Sequence, residues 1–305
     1  MFTYLSMKTT TSDTIEMGEL QETGRMALDI IGKDLEMAGF WGSFNGLSLE
    51  STTIDVTAVA NPGNDCSVGL NNGSFPQNSP SSFKYIFGLE ATEGANMGCI
   101  TDAVGQSDII QIKRVSGQNI NGQATSANSY YLEADIAEGR IFAGDGNMVN
   151  AANANGTVWR YMHHVYYVNE QQYQMGNRTV SVPVLMRKRL TPAGGMTTES
   201  VLEGVENIRL LYGIDNDGDR NVDTYLTAGQ MTVNEWEQVT SKIVTAQLFV
   251  LVRAIEEDAD LNRTNKTFTL GGDGGTSRSL TFADNFRRLL FVSTIKVKNS
   301  EVETW

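Results

Sequence analysis

An α+β fold is what this sequence predicts: one amphipathic helix near the start, then many strands around a shared core. Three observations carry that expectation. Met17, Leu20, Gly24, Leu28, Ile31, Leu35 and Ala38 recur at three- and four-residue steps, the apolar stripe of a 3.6-residue helix. Beyond it the period changes to two, and apolar residues alternate with polar ones in several separate runs. The chain has 305 residues, 40% of them apolar, enough for a substantial core.

The helix is the first element. Arg25, Asp29, Lys33 and Glu36 lie opposite the stripe, and Asp29 stands four residues before Lys33, the favourable order for a helical ion pair. Asp13 and Glu16 have the spacing of a capping box, and Gly39 can take the left-handed conformation that stops a helix. Leu28, Ile31 and Leu35 are the expected packing face, with Asp29, Lys33 and Glu36 in solvent. The strands follow in order. Ile54, Val56 and Ala58 alternate with Asp55 and Thr57, and Ile110 and Ile112 sit in the similar run Asp108–Val115. Val158–Val168 is aromatic and β-branched, as strands prefer. Ile208, Leu210, Tyr212 and Ile214 share a face opposite Asn207 and Arg209, and Val244, Ala246, Leu248, Val250 and Val252 form the most apolar strand face. Ile295 and Val297 against Lys296 and Lys298 close the chain with a clean alternation.

The intervening segments Asn61–Ser82, Ser116–Ser129 and Gly144–Gly156 are rich in Asn, Gly and Ser and read as surface excursions, because they carry little apolar side chain to offset the entropy of ordering. Gly271–Gly275 (GGDGG) lacks the Gly-Lys-Ser/Thr ending of a phosphate loop and reads as a turn. No repeat or linker divides the chain. The expected organisation is a helix over 1–42 and a β-rich domain over 43–305, with a sheet insertion around 43–157.

Composition narrows the function. The balance of 23 basic against 36 acidic residues gives a net charge of −13, which argues against nucleic acid as a partner. The longest apolar run, Ile243–Val252, contains Thr245 and Gln247 and is too short to span a bilayer. Cys66 and Cys99 are the only cysteines, both among turn-forming residues. Bridged, they would contribute ~3–4 kcal/mol in the chain-entropy model; unbridged, they are two free thiols in loops. Neither they nor the adjacent His163 and His164 have metal-ligand spacing.

Asp215, Asp217, Asp219 and Asp223, in the run DNDGDRNVD, place oxygen ligands at relative positions 1, 3, 5 and 9 of a tight loop. Such carboxylates can converge on one hard cation, and the expected ion is a structural Ca²⁺. Against this, Arg220 stands where an EF-hand has glycine and Leu226 where it has a closing glutamate, so a solvated acidic turn is the other reading. No catalytic residue is assigned. The strand histidines read as packing groups, and no G-x-S-x-G or H-E-x-x-H run occurs. Arg287/Arg288 and Arg187/Lys188/Arg189 are small basic clusters that balance the acidic surface or line an interface, too few for a nucleic-acid groove.

Two long stretches resemble one family. LQETGRMALDIIGKDLEMAGFWG (Leu20–Gly42) and VLEGVENIRLLYGIDNDGDRNVDTY (Val201–Tyr225) are similar to the corresponding runs of PilW-type minor pilins of type IV pili. His164–Val168, Val184–Arg189 and Phe286–Asn299 are weaker echoes in the same order. The resemblance implies a pilin-like form of the α+β fold, with the helix packed on an antiparallel sheet, and no active site or cofactor. It implies a subunit of the complex that primes pilus assembly and caps the tip, with other minor pilins as partners and a tip adhesin as a further one. It also implies an inner-membrane anchor, a periplasmic domain before assembly and an extracellular tip position afterwards, a compartment that favours the Cys66–Cys99 bridge.

Met1–Thr14 departs from the family. Phe2 and Thr3 resemble the mature start, but Ser6 stands at the family's glutamate and no long apolar run follows. The expected explanation is a chain that begins downstream of its anchor. Two rival functions remain. One is a J-type pseudopilin of type II secretion. The other, of a different class, is a secreted, calcium-stabilised adhesive or carbohydrate-binding module, suggested by the Asn/Gly/Ser loops. An enzyme is the least supported class.

Overall fold

The computed structural model describes residues 2–45, 49–258, 265–273 and 275–300, with side chains from Asp13 onward except that of Met175. The chain opens with helix α1 (Phe2–Glu36). Strands β1 (Ile54–Asp55), β2 (Ile86–Glu90), β3 (Asp108–Asn119), β4 (Gln123–Ala124), β5 (Tyr130–Ala134), β6 (Gly139–Ala143) and β7 (Met148–Val149) follow. The longest strands come next: β8 (Thr157–Met175), β9 (Arg178–Thr191), β10 (Gly195–Glu203) and β11 (Val205–Asp215). The remaining elements are β12 (Thr224–Thr227), α2 (Val233–Glu237), β13 (Lys242–Arg253), β14 (Lys266–Leu270), β15 (Arg278–Phe282) and β16 (Arg288–Lys296).

This architecture corrects the expected α+β, pilin-like fold. The protein is mostly β, with two helices among the described residues and its strands divided over several sheets. An eight-stranded sheet runs β1-β6-β5-β8-β3-β2, with β9 and β10 continuing from β8; a four-stranded sheet runs β12-β11-β13-β16. Two-stranded ribbons β14-β15 and β4-β7 complete it. The expectation underweighted strand because segments without apolar alternation still pair. Residues 116–119 extend β3, and Gln123–Ala124 pairs Met148–Val149, inside regions rich in Asn, Gly and Ser. Main-chain hydrogen bonds to neighbouring strands hold such backbone without help from the side chains.

Helix α1 lies along β16 and over β13, and the apolar stripe sits beneath it. Leu20, Ile31, Leu35 and Ala38 are buried and Leu28 half-buried, while Asp29 and Lys33 are exposed and joined at 2.6 Å. Gly24 is required by close approach: a Cβ there would overlap the Phe291 ring. The helix runs straight through Asp13 and Glu16, which corrects the expected capping box. Both carboxylates instead meet Arg287, at 2.8 and 3.2 Å. Past the helix end, Gly39 adopts φ +72° and its N–H donates to Lys113 O of β3.

The sheets share one core, running from Leu20 on α1 through Ile110, Tyr166 and Tyr212 to Val297. On the edge of β11 that β12 leaves open, residues at the start of β3 supply acceptors: Ser107 Oγ, just before the strand, takes the Ile208 N–H (3.1 Å) and Asp108 Oδ2 the Leu210 N–H (2.8 Å). The far face of the four-stranded sheet is closed by the β14-β15 ribbon, whose Phe268, Leu270, Leu280 and Phe282 cover Leu211, Phe249 and Leu251. Arg209 holds the turn of that ribbon through Thr276 O, and Arg278 pairs with Asp108 at 2.7 Å. GGDGG lies in this turn, though Gly274 falls outside the described residues.

Candidate functional site

The acidic loop joins β11 to β12. Asp215 is buried, and its carboxylate folds the loop around itself: Oδ1 accepts the N–H groups of Asp217 (3.2 Å) and Gly218 (2.7 Å), and Oδ2 that of Arg220 (2.9 Å). Asp223 Oδ2 accepts the Asn216 N–H at 2.7 Å. Ligand oxygens of Asp215, Asp217 and Asp223 lie within 4.8 Å of one another. Asp219 is outside that group; it accepts from the N–H and Nδ2 of Asn221 (2.7 and 2.8 Å), which hold its carboxyl below the usual value. Arg220 adopts φ +70°, the left-handed conformation that glycine supplies at this point of an EF-hand, so the chain wraps despite the departure. Leu226 is half-buried in β12 and offers no oxygen from its side chain. The donors that converge are all oxygen, the chemistry of Ca²⁺, and carbonyls or water would have to complete the sphere. A second acidic group, Asp13, Glu16 and Asp258, already holds the Arg287 guanidinium in the place a cation would take.

Cys66 and Cys99 are joined in a disulfide, which ties the 61–82 segment to the turn after β2. That segment was expected at the surface and is partly core: Asn72 and Ser74 are fully buried, as is Cys66. Polar side chains, not apolar ones, order it. It lies on one face of the β3-β8 pair, where Gln111, Lys113, Tyr161 and His163 project together. Gln111 Nε2 shares its two N–H groups among Cys66 O (2.7 Å), Asn72 O (3.2 Å) and His163 Nε2 (2.8 Å), and Tyr161 Oη donates to Ser74 O (2.5 Å). Ser74 Oγ donates to Asp65 Oδ1 (2.6 Å), so its contact with His163 Nδ1 (3.0 Å) is one in which the imidazole donates. His163 therefore carries its proton on Nδ1 and is neutral. Burial, with Lys113 and His164 adding, pushes its pKa well below normal. Ser74 and His163 are within hydrogen-bond reach, but the serine proton is engaged by Asp65 and both side chains are sealed from solvent, so the pair is a joint of the fold.

The opposite face of the same strands carries Arg114, His164 and Tyr166, and α1 reaches it with Asp34. Asp34 Oδ1 accepts from Arg114 Nε (3.0 Å) and Nη2 (2.5 Å), and Oδ2 from His164 Nδ1 (2.6 Å) and Tyr166 Oη (2.7 Å). Burial opposes ionisation of Asp34, but the His164 hydrogen bond and charges and donors beside it hold the carboxyl well below the usual carboxylate range. Arg114 already neutralises it. Burial lowers the His164 pKa, partly offset by Asp34, and the imidazole donates as a neutral group. Adjacent histidines thus anchor different layers, one a loop and the other a helix.

Two resemblance-bearing stretches meet directly. Glu206 grips Arg288 through both carboxylate oxygens (2.6 and 2.9 Å), Asp284 pairs with the same guanidinium, and the Phe282 ring lies 3.8 Å from it. Arg288 is therefore a buried structural cation, not part of a basic surface, and Arg187 is paired with Glu199 at 2.6 Å. Exposed apolar side chains remain on the helix and its companion strand: Ile15, Met26 and Val292. The sequence reading missed Asp34, although a signal was present: it lies three residues after Ile31, a carboxylate on the apolar stripe. It also missed Lys113, Asn72 and Asp65, whose meeting depends on tertiary pairing.

No curated protein and no solved structure matches the chain. Residues 165–299, a little under half of the chain, match the PilW family model, described as type IV pilus-assembly protein W. That span includes Val201–Tyr225 and the Glu206–Arg288 pair, and it supports a role for this protein in type IV pilus assembly.

Proposed function

We propose that this protein is a minor pilin, a non-enzymatic subunit of the complex that primes a type IV pilus and caps its tip. The PilW match over residues 165–299 is the observation that carries this reading. The helix geometry adds support. At 1.5 Å per residue α1 is about 50 Å long, and among its described side chains the first buried one is Leu20, so most side chains from Asp13 to Glu19 remain available to neighbours. Ile15 and Met26 on the helix and Val292 on β16 give a neighbouring subunit apolar surface to bury. The partners in this reading are other minor pilins and a tip adhesin, and the domain is periplasmic before assembly. The soluble domain is expected to co-purify with soluble domains of minor pilins encoded beside it. Failure with each of them, together with specific retention on a glycan array, would favour the adhesive module instead.

The acidic loop fits this reading as a structural calcium site held by Asp215, Asp217 and Asp223. A cation bound only by the folded state stabilises it by about 2.7 kcal/mol at a hundredfold excess over Kd. Added calcium should therefore raise the unfolding midpoint, and chelator should reverse the gain. The double substitution Asp217→Ala plus Asp223→Ala should abolish the response. An identical calcium response in wild type and double mutant would reduce the loop to a solvated turn.

A further inference from the structure

We propose that Lys113 and Asn72 are the two ends of an intramolecular isopeptide bond, a covalent tie between β3 and the 61–82 segment. The Lys113 Nζ lies 3.4 Å from Asn72 Oδ1, and both side chains are fully buried. Two further acceptors fix the amine, Asn72 O at 3.1 Å and Lys84 O at 2.7 Å, and the Phe83 ring lies 4.5 Å from it. Gln111 Nε2 donates to the same Asn72 carbonyl at 3.2 Å, which fixes the asparagine backbone from the other side. The amide and the amine are thus held together in a site closed to water, the arrangement in which an intramolecular attack gains most from proximity.

The reaction is an amide exchange. Nζ as a free amine attacks Asn72 Cγ, the Nζ–Cγ bond forms and the Cγ–Nδ2 bond breaks. One proton passes from Nζ to the departing nitrogen, which leaves as ammonia. No oxidant, reductant or cofactor enters the balance. Burial pushes the Lys113 pKa down to about 7, with Asp65 opposing and Lys84 adding, so the nucleophilic form is accessible at neutral pH. Asp65 is the carboxylate whose charge is felt at Nζ, and Ser74 holds it through N–H and Oγ at 2.7 and 2.6 Å. The resulting tie holds the same 61–82 segment as Cys66–Cys99, but to β3 and not to the turn after β2, and it does not depend on redox conditions.

The test is the intact mass of the purified protein after denaturation and reduction. The expected mass is lower than that of the sequence by one ammonia, about 17 Da. Asn72 precedes Gly73, and a succinimide there would also lose ammonia, so trypsin mapping separates the two. With the isopeptide, cleavage after Lys113 is blocked, and peptides Asp34–Lys84 and Tyr85–Arg114 stay joined after reduction. Lys113→Met and Asn72→Ala should each restore the full mass. Wild type at full mass, or a lighter protein that trypsin still cuts after Lys113, overturns the proposal whether or not the variants fold.

Discussion

Moving the protein from about pH 7.5 to about pH 5.5 is expected to remove about 1.5–3 kcal/mol of folding stability. Both histidines are buried and neutral in the folded state, with pKa values held below normal. The unfolded chain takes up protons near the ordinary histidine pKa of about 6.5, so acid favours unfolding. The stabilising contribution is complete above that pH and is lost as pH falls towards the folded values. A histidine that stays neutral when folded contributes about 1.4 kcal/mol over this interval, the full amount for His163 and a part of it for His164, whose Asp34 partner opposes the lowering. His163 has a structural reason to stay so: protonated Nε2 would face the Gln111 amide donor at 2.8 Å. Urea unfolding across the interval is the measurement, and a midpoint that does not move would show that the imidazoles titrate alike in both states.

Asp34→Ala is expected to cost about 3–5 kcal/mol, the range for removing one partner of a buried charge pair. The loss leaves the Arg114 guanidinium without its carboxylate and strips His164 and Tyr166 of their shared acceptor. It also releases α1 from the β3-β8 face. Asp34→Ala alone should be much worse than Asp34→Ala combined with Arg114→Met, because the double variant buries no unpaired cation. Chemical denaturation of the three proteins reads the difference. Loss below about 1 kcal/mol for the single variant would mean that solvent reaches the cluster.

The helix was legible because its stripe is a local signal: Leu20, Ile31 and Leu35 recur at helical steps, and these positions are buried. The acidic run was legible for the same reason, since its carboxylates are close along the chain. Its partition was not, because Asp219 turns to Asn221 while Asp215, Asp217 and Asp223 converge. The fold class was misjudged where pairing depends on main-chain bonds that leave no trace in composition, as in β4 and β7. The 61–82 segment was misplaced for a related reason. Asparagine and serine normally mark solvent, yet here Asn72 and Ser74 satisfy buried partners from β3 and β8. Paired strands also hid the division of labour between His163 and His164, which follows only from their opposite faces in the sheet.

Surface piliation tests participation in type IV pilus assembly most directly. In the source organism, deletion of the gene should strongly reduce the number of pili seen by electron microscopy, and the full-length gene supplied in trans should restore them. Asp34→Ala, delivered in the same way, should restore fewer. Undiminished piliation in the deletion strain would contradict the claim.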